Sequence, residues 1–361
     1  MRSRLRRDGE TAGVAKVTGA AYAPAMFATP ADFAAALAAM PIADAVSGAQ
    51  AQERQQHLTK PPGSLGRLET LATFMAGWQQ RDRPVIGHAR IAVFAGNHGI
   101  AARGVSAFPA SVTAAMVANF ANGGAAINAL AKAANAELVV VPLDLDQPTA
   151  DFTTAPAMSE TECLAALNAG AAVVADGIDL LAVGEMGIAN STTAAALCAC
   201  SFGGSAGDWA GPGTGVDAAG IGRKVATVAA GLARHADAAT TPFEILRRLG
   251  GRELAAIAGA VLAARHARVP VLLDGFIACA SIAPLAAASP AIADHLIAGH
   301  VSAEPGHARL LQRLGLAPLL ALDMRLGEAS GAAVAINIIR SALAAHGEMA
   351  TFAEAGIAAG A

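Results

Sequence analysis

Two carboxylates in this chain follow short apolar runs and stand beside glycines, Glu185 in Gly184-Glu185-Met186-Gly187 and Glu328 in Leu326-Gly327-Glu328-Ala329. Each has two readings: a carboxylate that complements the dipole of a nearby helix N-terminus, or a general base whose proton affinity is raised in a closed apolar cleft. Asn190-Ser191-Thr192-Thr193 opens a helix read over Ala194 to Ala199. Its hydroxyls and free backbone N–H groups suit either ordinary N-capping or the capture of an anion such as phosphate. Gly211-Pro-Gly-Thr-Gly215, followed by Gly220-Ile-Gly222-Arg223-Lys224, brings two cations to flexible backbone, as a surface loop or as a phosphate or carboxylate site. Of the histidines, His98 within Gly96-Asn97-His98-Gly99 is the best candidate for a site role; none has the spacing of a metal ligand.

Several enzyme classes lose support on motif grounds. No G-x-x-x-x-G-K-[ST] phosphate loop can be aligned, and no G-x-G-x-x-G lies between a strand and a helix, which counts against an NAD-dependent dehydrogenase. The acidic pair followed by Thr-Gly that marks enzymes using phosphoribosyl pyrophosphate is also missing. With 25 Lys+Arg against 28 Asp+Glu, a net charge of -3 offers nucleic acid and anionic lipid no general attraction. Small molecules are the expected partners.

These residues must be held by a scaffold, and the chain repeats one grammar: a short apolar run, a glycine-rich turn, then a helix-period segment. That is βα alternation. The runs are Ile91 to Ala95, Leu138 to Leu143, Leu180 to Val183, Val271 to Leu273 and Leu319 to Leu322, with Ala298 to Val301 as a sixth. Apolar residues at both alternating positions predict parallel strands covered on two faces, hence an α/β, doubly wound open sheet. In such sheets ligands bind beyond the carboxyl ends of the strands, where the residues above fall.

At 361 residues, 54% hydrophobic and only 4% aromatic, the chain can bury a sizeable core of small and branched side chains. Residues 1–30 read as a mobile extension and 31–85 as helices broken by Lys60-Pro-Pro-Gly-Ser-Leu-Gly66. Residues 86–330 read as the α/β domain, and 331–361 as helices that join the N-terminal ones in a small domain. Cys163, Cys198, Cys200 and Cys279 show no zinc-like pairing, the basic start is not followed by an apolar h-region, and no stretch reads as a lipid-facing span. A cytoplasmic location is expected.

Taken together, Lys60-Pro-Pro-Gly-Ser-Leu-Gly-Arg67-Leu-Glu69, Gly184 to Thr193, Pro270-Val-Leu-Leu-Asp274-Gly-Phe276, Ser302-Ala-Glu304 and Met324-Arg-Leu-Gly-Glu328-Ala-Ser-Gly-Ala-Ala333 resemble the nicotinate-nucleotide:dimethylbenzimidazole phosphoribosyltransferases, over about residues 45 to 345. The resemblance implies a Rossmann-like sheet with a small helical domain from both chain ends, and a homodimer. It implies transfer of ribose 5-phosphate from nicotinate mononucleotide to a benzimidazole-type base in cobalamin nucleotide-loop assembly, with no metal or other cofactor. Glu328 then matches the catalytic base, Glu185 supports the site, and Gly187, Lys224 and Ser302 lie around the phosphate, with Asn190, Ser191, Thr192, Gly327 and His98 as further substrate contacts. Where many members carry Asp, this chain has Asn97, and where some carry Ser and Gln it has Phe108 and the Ala115-Met116 pair. Phe108 and Met116 are therefore expected to line a more apolar acceptor pocket. The rival from another class is a non-catalytic protein that binds an azole or its α-riboside; a base such as Glu328 counts against it.

Overall fold

The computed structural model describes residues 16–17, 25–175, 177–213 and 215–358. Among the described residues seven strands make one sheet: β1 (Lys16–Val17), β2 (Ala89–Ala95), β3 (Glu137–Pro142), β4 (Leu180–Met186), β5 (Val271–Leu273), β6 (Leu296–His300) and β7 (Pro318–Leu320). Every pairing is parallel, in the order β1-β3-β2-β4-β5-β6-β7. The chain builds outward from β2 to β3, then returns to the other side of β2 at β4. That reversal opens a crevice past the carboxyl ends of β2 and β4, where Asn97, His98 and Glu185 to Asn190 lie.

The alternation explains why each apolar run lacks polar positions. Ile91, Val93, Leu138, Val140, Leu180 and Ala182 belong to the core on one face, with the Arg67–Gln79, Ala126–Ala133 and Ser330–Glu348 helices. Ala92, Phe94, Val139, Val141, Leu181 and Val183 belong to the other, with the Glu160–Ala171, Asn190–Phe202 and Arg252–His266 helices. Successive strand side chains point to opposite faces and both faces are roofed, so both must be apolar.

The two chain ends pack together. Arg54 on the Ala45–His57 helix donates to the carbonyls of His346, Gly347 and Met349, closing the C-terminal end of the Ser330–Glu348 helix. The Lys60-to-Gly66 loop folds onto its own helix: Glu69 lies 2.7 Å from the Lys60 ammonium and accepts the amides of Gly63 and Leu65, while Arg67 donates to the carbonyls of Ala317 and Pro318. This conspicuous motif therefore fastens the N-terminal helices to the β7 edge. Apolar residues of the Arg67–Gln79 and Ser330–Glu348 helices share one core with the sheet.

Of the expected mobile extension, residues 1–15 and 18–24 lie outside the described residues, as do residues 359–361 at the other end. Lys16 and Val17 pair with Val139 and Val140 at the sheet edge. Phe27 is buried, and its N–H and C=O both bond to the Asn168 side-chain amide. Among the described residues no helix is long and apolar enough to cross a membrane.

Candidate active site

The cleft at the switch point is walled by Glu185, Gly187, Asn190, Ser191, Lys224, Ser302 and Gly327, each expected from sequence, together with Gly213, Phe276, His300, Glu304 and Arg325. Two helices start at its rim, and both N-caps are alanines in the left-handed region, Ala189 at φ 80° and Ala329 at φ 62°. Neither makes a side-chain capping bond. The Asn190–Phe202 helix starts four residues before the expected Ala194, so Asn190 to Thr193 form its first turn. Their side chains reach across the site: Asn190 donates to a Glu185 carboxylate oxygen, Ser191 accepts from Lys224 at 3.0 Å, and Thr193 lies 3.2 Å from His98 Nδ1. The capping reading is thereby excluded for the described geometry.

Glu328 occupies a run of three left-handed residues, Gly327 at φ 84°, Glu328 at 62° and Ala329 at 62°. Left-handed backbone costs a residue bearing Cβ about 1 kcal/mol, so the surroundings must hold the turn in place. They do so through the Glu328 amide, which donates to the Glu185 carbonyl at 3.1 Å, and through Gly184, where a Cβ would come within 2.1 Å of the Ala329 nitrogen. Glu328 is 4% exposed, and one of its carboxylate oxygens has no hydrogen-bond partner among the described residues. Burial, assisted by the charge of Asp274, pushes its pKa up to about 7. Glu185 is raised to about 8, chiefly by burial, with the Asn190 bond opposing and Glu253, Asp274 and Glu328 reinforcing. Two acids are thus held where a proton can be taken or kept near neutral pH.

In the same cleft the Lys224 ammonium is buried among neutral acceptors, donating to Ser191 Oγ and to the Gly211 carbonyl, each at 3.0 Å. Desolvation lowers its pKa while the charge of Glu304 opposes the shift. A buried cation with no carboxylate in ion-pair contact among the described residues is suited to an anionic ligand. The surface-loop reading of Gly211 to Gly213 fails because the loop covers Lys224; Thr214 lies outside the described residues. Beside it, His307 Nδ1 receives the Ser302 amide at 2.9 Å and lies 2.9 Å from the Ser302 hydroxyl. Burial and the neighbouring His300 push the pKa of His307 down to about 3, so the ring is neutral and an acceptor at Nδ1.

Four expected contacts stand elsewhere. His98 is buried behind the wall, Thr192 is fully buried in the first turn of its helix, Phe108 is 49% exposed, and Met116 packs against the hydrophobic core. None of the four lines the cleft. Sequence reading assigned no role to Asp274, which accepts the Ala332 amide at 3.0 Å and sits 3.5 Å from His300 Nε2, or to Glu304, which is 8% exposed with one oxygen unpartnered. Asp274 follows β5 and Ser302 to Glu304 follows β6, so the strand-end rule contained the signal. Glu253, near the start of a helix, offered none.

A family model described as phosphoribosyltransferase matches residues 40–357. The chain is 69% identical over 334 residues to the nicotinate-nucleotide–dimethylbenzimidazole phosphoribosyltransferase of Novosphingobium aromaticivorans, covering 92% of this chain and 99% of that one. Identity to the enzyme of the same name from Mesorhizobium japonicum is 60%, covering 84% and 90% of the respective chains. Among solved structures, the crystal structure of CobT from Thermus thermophilus is similar with a TM-score of 0.83 and 42% identity, covering 87% of this chain and 100% of that one.

Proposed function

Because the chain belongs to the nicotinate-nucleotide–dimethylbenzimidazole phosphoribosyltransferase family, we infer that its cleft moves ribose 5-phosphate from nicotinate mononucleotide to 5,6-dimethylbenzimidazole or a related base. The enzyme is a pentosyltransferase; its products are nicotinate and α-ribazole 5′-phosphate, used in cobalamin nucleotide-loop assembly. The observation that carries the assignment of roles is that one cleft brings a buried carboxylate pair together with a buried ammonium.

The donor phosphate takes the Lys224 ammonium, with Ser191, Gly187 and Ser302 around it. The ribose C1′ then faces Glu185 and Glu328. Glu328 accepts the N–H proton of the azole while the other ring nitrogen attacks C1′. The glycosidic bond breaks with its electron pair returning to the pyridinium nitrogen, so nicotinate leaves with its ring charge neutralised. Attack opposite the leaving ring inverts the β-nucleotide to the α-product. Holding two flat rings either side of C1′ supplies most of the acceleration, and proton removal adds roughly 10²- to 10⁴-fold. Asn190 and Gly327 fix the two carboxylates. His98 and Thr192 support the wall from behind, whereas Phe108 and Met116, which lie outside the cleft wall, are given no part in holding the acceptor.

We further propose a cytoplasmic homodimer. All four cysteines are free thiols, which accords with a reducing compartment. A single-chain mass in sedimentation equilibrium would refute the dimer. The reaction is tested by incubating the protein with nicotinate mononucleotide and 5,6-dimethylbenzimidazole and following both products by chromatography and mass. Free nicotinate together with an α-riboside phosphate is expected; ligand binding without either product would favour a binding protein.

A further inference from the structure

Behind the cleft wall lies a carboxylate that the mechanism above does not use. Glu253, at the start of the Arg252–His266 helix, is 0% exposed, with Oε1 2.5 Å from His98 Nε2. The opposite nitrogen of the same ring, Nδ1, lies 3.2 Å from Thr193 Oγ1 in the first turn of the Asn190–Phe202 helix. Space for the acid is made by three glycines. A Cβ would come within 2.4 Å of Glu253 Oε2 at Gly96, 2.7 Å of Oε1 at Gly187, and 3.0 Å of Oε2 at Gly251. Gly187 is itself part of the cleft wall, so the carboxylate stands one backbone thickness from the cleft.

We propose that Glu253 and His98 form a positioning relay that sets the first turn of the Asn190–Phe202 helix, and through Asn190 the orientation of Glu185. This inference rests on the reaction assigned above and extends it to two residues that do not touch substrate. A core acid present only for packing should have its oxygens bonded, because an unpaired buried acceptor is costly. Among the described residues Glu253 Oε2 has no partner. Glu253 Oε1 faces His98 Nε2, which turns Nδ1 of the same ring toward the Thr193 hydroxyl. The ring orientation that meets the helix is thus set by Glu253, as outer acids orient ligating histidines. The charge acts on the site as well. Glu185 faces Glu253, Asp274 and Glu328 and is hydrogen-bonded by Asn190; after burial, Glu253 is the first of its charged neighbours in raising its pKa.

The test uses Glu253→Gln, which keeps shape and one acceptor but removes the charge, and Thr193→Val, which keeps volume but removes the hydroxyl. Both should melt as folded protein with unchanged far-ultraviolet dichroism. We expect kcat to fall roughly 10- to 100-fold in Glu253→Gln, as for misplacement of a reacting group by a fraction of an ångström to 1 Å. The Michaelis constant for nicotinate mononucleotide should move less than about threefold, since Lys224 is untouched. The pH profile of kcat/KM in Glu253→Gln should shift to lower pH at its Glu185-dependent limb; that in Thr193→Val should not. His98→Gln, able to bond both neighbours, should recover part of the activity lost in His98→Ala. A folded Glu253→Gln with wild-type kcat and an unmoved profile overturns the relay while leaving the reaction standing. A wild type that binds both substrates yet makes no product overturns both.

Discussion

The amide of Glu328 donates to the carbonyl of Glu185 at 3.1 Å, so a turn after the last strand is tied to the end of β4. One backbone bond thereby fixes the separation of two buried acids that come from opposite parts of the sequence. Asp274 lies within electrostatic reach of both and raises both. Each acid alone resembles an ordinary helix-dipole carboxylate; together, beside Lys224 in one cleft, they define where charge changes during the reaction.

Removing the base should separate binding from chemistry. Glu328→Gln is expected to bind nicotinate mononucleotide within about threefold of wild type while turnover drops roughly 10²- to 10⁴-fold. In the wild type the base must be ionised, and its pKa is pushed up to about 7. Activity should accordingly fall as pH drops below about 7. Full turnover in Glu328→Gln would remove the residue from its role.

The same acid should weaken the fold at alkaline pH. A carboxyl raised from 4.5 to about 7 favours the folded chain fully below 4.5, and this contribution disappears as pH rises through about 7. At pH 8 Glu328→Gln should therefore be more stable than wild type by on the order of 2 kcal/mol, with the gain vanishing near pH 4. Urea unfolding at both pH values measures this; an equal gain at both would mean that desolvation of the charge is not the cause.

Lys224→Ala should act mainly on the donor. Among the described residues its ammonium bonds only Ser191 Oγ and the Gly211 carbonyl, leaving a proton for the phosphate. Loss of a buried, charge-assisted contact of about 2 kcal/mol should raise the donor Michaelis constant by more than about tenfold. An unchanged constant would place the phosphate elsewhere.

Phe108→Ala tests whether the exposed ring governs the acceptor. At 49% exposure and outside the cleft wall, Phe108 should alter the acceptor Michaelis constant by less than about threefold, about 0.6 kcal/mol. A larger change confined to the acceptor would show that the ring folds over the base.

The sequence carried the sheet clearly because its strands are apolar at every position, and the expected runs at Ile91, Leu138, Leu180, Val271, Ala298 and Leu319 all meet observed strands. The same two-faced burial fixed where functional loops must lie. Lys16–Val17 was hidden because a two-residue edge strand has no period to read. The Asn190–Phe202 helix was started late because its polar first turn resembles a cap, although its side chains bond to Glu185, Lys224 and His98. Glu253 was invisible for a different reason: only the folded chain brings the start of its helix against Gly96 and Gly187.

Gly184 offers the most direct link between packing and catalysis. It lies in β4 next to Glu185, and a Cβ there would stand 2.1 Å from the Ala329 nitrogen and 2.5 Å from its Cα. Those are backbone atoms in the middle of a sheet-to-helix turn, so no side-chain rotation can relieve the overlap. In Gly184→Ala the turn must move away from the strand, which lengthens the Glu328-to-Glu185 bond and displaces the base. Overpacking of this kind costs roughly 1 to 3 kcal/mol of stability. The loss of turnover should be much larger than the loss of folded protein, since displacement of a reacting group by about 1 Å can cost about 100-fold. Denaturant unfolding and kcat measured on the same preparation separate the two effects. A Gly184→Ala enzyme with wild-type kcat would mean that the position of Glu328 does not depend on this contact.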